Sequence, residues 1–298
     1  MHKRVLRGYA VLLFICMCFS SKAMTQAEEL QQEVIVVPED SLEAVTQAEE
    51  QLVQQTPEEL AAIQLQQTVA QVTAEQATRQ LVIIGDSRTV GMKNAVGSNN
   101  NLWSAKVGMG LSWMKNTGVP AVEASINANS DVVILMGVND VRSLSMTKKY
   151  VSYLNEKAAA WTALGANVYY VSVNPMVFET SSYPGISNSL IENWNTRMQQ
   201  GLSSDITYID TYSQVNGKLS SSDGIHYNNK SYKLIYSLVN QEIINDKATK
   251  QILAIQQAQA LEQAQLQQSQ ELVQPVDTAY EWQAQPEATE VIQATVQY

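Results

Sequence analysis

Apolar residues are not spread evenly along this chain. Between about residues 80 and 246 they gather in five short runs, "LVIIG" (81–85), "LWSAKVG" (102–108), "DVVILMG" (131–137), "NVYYVSV" (167–173) and "ITYID" (206–210). Each has strand length and is rich in β-branched or aromatic residues. The third and fourth are almost continuously apolar, as expected of strands covered on both faces. Between the runs the period lengthens. Val151, Leu154, Ala158, Trp161 and Leu164 share one helical face, as do Ile191, Trp194, Met198 and Leu202. Leu234, Ile235, Leu238 and Val239 mark a last helix. Strands alternating with helices predict a three-layer α/β domain, a parallel five-stranded sheet with helices on both faces and enough chain for one good core.

The flanks read differently. Residues 24–79 and 247–298 are rich in Gln, Ala and Glu, and the first of these stretches lacks glycine altogether. "TPEE" has the form of a helix start with proline in its first turn. Apolar residues recur at Leu60, Ile63, Val69 and Val72, too patchily for sustained heptads. These stretches are expected to be a linker and a tail, low-complexity arms that are partly helical or disordered, with spacer arms or weak coiled coils as the alternative.

Residues 1–23 have the pattern of a secretory signal: basic His2, Lys3, Arg4 and Arg7, the apolar "YAVLLFICMCF", then small residues at Ser21 and Ala23. An uncleaved anchor is the competing reading, but the apolar core is short for a bilayer. Export changes two other inferences. Cys16 and Cys18 both lie in this segment, so the mature chain has neither disulfide nor cysteine-based zinc site. Its removal also takes four basic and no acidic residues, moving the net charge from −10 to −14. Such an acidic chain is a poor ligand for nucleic acid or an anionic membrane surface. A secreted or cell-surface location follows, with surface association through the tails left open.

In parallel sheets ligands bind beyond the carboxyl ends of the strands. There the chain places Gly85-Asp86-Ser87, then Gly108 with Gly110 close behind, then Gly137-Val138-Asn139-Asp140, and late in the domain Asp223-Gly224-Ile225-His226. Singly each is weak. A serine after a strand is usually a helix N-cap, and "GVND" is a good turn. Together they suggest acyl transfer. A serine hydroxyl needs a base within hydrogen-bond reach, and His226 is the single imidazole left after the signal. Asp223 is placed to fix its tautomer. Candidate oxyanion donors are the N–H groups of Ser87 and Gly108 and the amide of Asn139, with Gly110 a rival for Gly108. A metal reading through Asp86, Asp223 and His226 is unattractive, because one imidazole without cysteine makes a poor zinc site.

This pattern resembles the SGNH, or GDSL-type, hydrolases: "GDS" at 85–87, Gly108, "GVND" at 137–140 and "DGIH" at 223–226 match its four blocks in order. The resemblance implies a flavodoxin-like three-layer fold for residues 80–246, catalytic Ser87, Asp223 and His226, no cofactor or metal, and ester hydrolysis or acyl transfer on lipids, acylated sugars or cell-wall polymers. Arg88 replaces the family's usual leucine, and is expected either to contact an anionic substrate group or to pair with an acidic neighbour. "AKVG" (105–108) is similar to a stretch of some cell-wall O-acetyltransferase domains. The absence of G-x-S-x-G argues against an α/β-hydrolase lipase. The leading expectation is an exported esterase acting on small acyl groups, O-acetyl esters of carbohydrate or cell-wall polymer being the first choice. Alternatives are an O-acyltransferase or lysophospholipase on the same triad, or a non-catalytic surface-binding module. Trp103, Trp113, Tyr183 and Tyr227 are candidates for sugar stacking or for core packing.

Overall fold

A computed structural model describes residues 56–272. The signal segment and the outer parts of both arms lie outside these residues. Five strands, β1 (Gln80–Gly85), β2 (Leu102–Ala105), β3 (Ser130–Leu135), β4 (Asn167–Val171) and β5 (Ile206–Ile209), form one sheet in the order β2-β1-β3-β4-β5. Every pairing is parallel. This is the flavodoxin-like order, in which the winding reverses between β1 and β3 and leaves a crevice at their carboxyl ends.

Strand residues alternate between two cores. Val82, Ile84, Val132, Ile134, Val168 and Tyr170 point into one, covered by the helical turns of 111–123 and by α3 (Met146–Ala163) and α4 (Asn188–Gly201). Leu81, Ile83, Val133, Tyr169 and Val171 point into the other, under α2 (Ser87–Val96), α5 (Thr211–Val215) and α6 (Asn229–Leu272). Both faces are covered, which explains the unbroken apolar runs. The helical faces follow the expected spacing: Leu154, Ala158, Ile191, Trp194 and Met198 are fully buried, and Trp161 nearly so. Leu164 departs from it, lying just past the end of α3 and 56% exposed.

The inner parts of both arms join the fold. Helix α1 (Pro57–Gln76) buries Thr68, Val72 and Gln76, and α6 buries Ile243 and Ala248. Their shared anchor is Asp131 at the start of β3. It is fully buried and accepts from Gln76, Arg79, Asn167 and Lys247 at 2.6–3.0 Å. The rest of α6 runs out as an uninterrupted helix with Leu253, Leu261 and Leu266 exposed. Among the described residues no helix is long and apolar enough to cross a membrane.

Candidate active site

The strand register brings the sequence blocks to one rim, since Gly85 lies beside Ala105 of β2 and Leu135 of β3. Helix α2 starts immediately after β1. Its N-cap is Asp86, whose Oδ1 accepts from Arg88 N–H at 3.0 Å. The capping role that sequence suggests for Ser87 therefore falls to its neighbour. Ser87 is the first helical residue, and its N–H belongs to the group with no intrahelical acceptor. Burial pushes the Asp86 carboxyl up to about 6, against the opposing pull of the Arg88 guanidinium.

Ser87 Oγ lies 2.9 Å from His226 Nε2, and His226 Nδ1 lies 2.7 Å from Asp223 Oδ2. The loop holding the last two is built around that carboxylate. Oδ1 accepts from the N–H groups of Ile225 and His226 at 3.0 and 2.8 Å and from Ser221 Oγ at 3.1 Å. Gly224 makes the turn with φ +89°, where a Cβ would strike the Phe178 carbonyl. Partial burial works against charge on Asp223. The His226 ring, the N–H groups of His226 and Ile225 and the Tyr183 hydroxyl outweigh it, holding the carboxyl well below the usual range. An ionised carboxylate only accepts, so the ring proton sits on Nδ1 and Nε2 is left to accept from Ser87.

The second and third blocks are tied to each other. Asn139 donates one amide hydrogen to Met109 O at 2.9 Å, leaving the second free. Asp140 accepts from Leu111 N–H at 2.9 Å and from the Tyr150 hydroxyl at 2.7 Å. Between these ties Gly108 is exposed, with φ +73° and no heavy atom within 4 Å of a built Cβ. Gly110 has a different duty: a Cβ there would strike the Asp140 carboxylate. Packing accounts for Gly110, and backbone conformation beside open space accounts for Gly108.

Arg88 differs from expectation. It is 8% exposed, donates from Nε to Ile225 O at 3.0 Å and from Nη1 to Asn174 O at 2.6 Å, and lies over the Tyr227 ring. Its hydrogen-bond partners are the buried carbonyls of Ile225 and Asn174 rather than an acidic side chain. It thereby fastens the residue before His226 to the helix that begins at Ser87. A pattern of residue types gives no sign of this, because a charged residue in a first helical turn usually faces solvent. Tyr227 is likewise buried and donates to Pro175 O at 2.6 Å. Trp103 stacks on Tyr236, and Trp113 packs against the core. Of the four aromatics considered for a sugar cleft, Tyr183 is the one that contacts the Asp223–His226 pair.

No family model and no curated protein matches the chain. Solved structures similar to it include a lipase/acylhydrolase from Enterococcus faecalis, at 18% identity over 56% of this chain and 96% of that one, TM-score 0.44. Another is an acetylxylan esterase from Geobacillus stearothermophilus, at 16% identity over 55% and 94%, TM-score 0.42. A candidate SGNH hydrolase from Slackia heliotrinireducens matches at 15% identity over 55% and 98%, TM-score 0.46. At such identities and scores, the chain's own sheet order, strand-end blocks and side-chain geometry have to decide. They give it a parallel five-stranded sheet in the flavodoxin-like order, with Ser87, His226 and Asp223 in line on its rim.

Proposed function

We propose that the chain is an exported serine ester hydrolase that removes small acyl groups, O-acetyl above all, from carbohydrate or cell-wall polymer. The observation that carries the reading is the continuous line from Ser87 Oγ through His226 to Asp223, at 2.9 and 2.7 Å. His226 Nε2 takes the hydroxyl proton as Ser87 attacks the ester carbonyl, and Asp223 stabilises the imidazolium that forms. The oxyanion is received by the N–H groups of Ser87 and Gly108 and the free amide hydrogen of Asn139. Losing one such donor typically costs about 10²–10³ in rate. His226 then returns the proton to the leaving alcohol as the ester C–O bond breaks, leaving an acyl group on Ser87. Water, deprotonated by the same ring, attacks the acyl carbon; the acyl–Oγ bond breaks, His226 returns the proton to Ser87, and the acid leaves.

The preference for small acyl groups rests on the sequence resemblance around residues 105–108, and export rests on residues 1–23. A panel of p-nitrophenyl esters from acetate to octanoate tests the chemistry and the size preference together. Acetate should give the highest kcat/KM, and acetate should be released from acetylated xylan or peptidoglycan. A preference for octanoate and for lysophospholipid would overturn the small-acyl assignment, and no hydrolysis of any ester would overturn the reading itself.

A further inference from the structure

None of these steps uses the Tyr183 hydroxyl, yet it sits against the acid–base pair. It donates to Asp223 Oδ2 at 2.9 Å, and its oxygen is 3.3 Å from His226 Nδ1. The three groups close a ring: the tyrosine proton goes to the carboxylate, while Nδ1–H faces both the carboxylate and the phenol oxygen. The Tyr183 and His226 rings meet edge to face, with centroids 5.8 Å apart. Burial, and then the bond to Asp223, raise the phenol's pKa, so it stays a donor.

The segment carrying Tyr183 connects β4 to α4 and is pinned on two sides. Val177 N–H donates to Gly224 O at 2.9 Å, fixing the segment to the turn before His226. Arg142 Nε donates to Pro184 O at 2.7 Å, from the loop that also bears Asn139. Ile186 is buried just beyond. Tyr183 is thus placed by the framework on both sides of the site.

We infer that Tyr183 is a positioning residue, whose hydroxyl locks the Asp223 carboxylate and the His226 ring into one mutual orientation. This rests on the serine-hydrolase reading above. Tyr183 touches neither Ser87 nor the transferred proton; it acts through its two neighbours. As the proton moves from Ser87 to Nε2, the imidazolium finds two oxygens already aimed at Nδ1–H, and no reorganisation is needed.

Tyr183→Phe keeps the ring and removes only the hydroxyl. It should lower kcat on p-nitrophenyl acetate about ten- to a hundredfold, the scale of one hydrogen bond to a charged group, with KM within about twofold. Were Tyr183 only a stacking wall for substrate, phenylalanine would keep wild-type kcat, and that result overturns the inference. A second readout needs no substrate. In a His2→Gln background His226 is the sole histidine, and its Nδ1–H resonance should move on Tyr183→Phe. An unchanged ring spectrum also overturns the positioning role. It does so even if the wild-type chain hydrolyses no ester, a result that by itself sinks only the serine-hydrolase reading.

Discussion

Two carboxylates, at opposite ends of the same sheet, show how alike hydrogen bonding can serve unlike purposes. Asp131, at the amino end of β3, is fully buried and accepts from Arg79, Lys247, Gln76 and Asn167. Asp223, on the opposite rim, accepts five bonds to the four of Asp131, yet its side chain is 37% exposed. What separates them is the partner. Asp131 is matched by two cations, Arg79 and Lys247, and it draws residues of α1 and α6 onto the base of the sheet. Asp223 is matched by one imidazole, whose other ring nitrogen faces the Ser87 hydroxyl. Two cations on a buried carboxylate make a clamp; an imidazole in reach of a hydroxyl makes the proposed site for chemistry.

Conversion of each to asparagine should separate the two roles. Asp223→Asn offers an N–H to His226 Nδ1 and so favours the wrong tautomer. A fall in kcat of about 10⁴-fold is expected, with stability changed by no more than about 2 kcal/mol. Asp131→Asn strands Arg79 and Lys247 without their counter-charge, and should cost about 3–5 kcal/mol in urea unfolding while leaving kcat per folded molecule alone. Comparable activity losses in both variants, measured on folded protein, would erase the distinction.

Asp86 sharpens the comparison through pH. Its carboxyl is raised from 3.8 to about 6, so the folded state holds the proton longer than the unfolded chain. Stability from this group is therefore present below about pH 4 and is lost as pH rises to about 6, amounting to at most about 3 kcal/mol. Asp223, whose carboxyl is lowered, contributes with the opposite sign: stability present above the unfolded value and lost in acid. Asp86→Asn keeps a good N-cap and should remove the decline between pH 4 and 6 from urea-derived stabilities. A decline of wild-type size in that variant would assign it elsewhere.

Much of the fold was legible because the three central strands are buried on both faces while the helices bury one. Val133 and Ile134 lie in opposite cores, so apolar character at both positions marks a central parallel strand without any partner being known. That Ser87, His226 and Asp223 come together was legible for a different reason: so few residue types suit the proposed acyl transfer that one imidazole and its local aspartate stand out. The parts that escaped depend on contacts distant in sequence. Arg88 is defined by carbonyls 86 and 137 positions away, and Tyr183 by a carboxylate 40 positions away. Nothing local to either residue encodes those partners. The same holds for Gln76 and Lys247, which look like residues of solvated arms and instead meet at Asp131.

Whether Ser87 is a nucleophile activated by His226 is best asked by covalent capture. Intact mass spectrometry after reaction with a fluorophosphonate should show one adduct per chain, located at Ser87 by peptide mapping and absent from Ser87→Ala and His226→Ala. An unlabelled wild-type chain, or an adduct that persists in Ser87→Ala, would contradict the account.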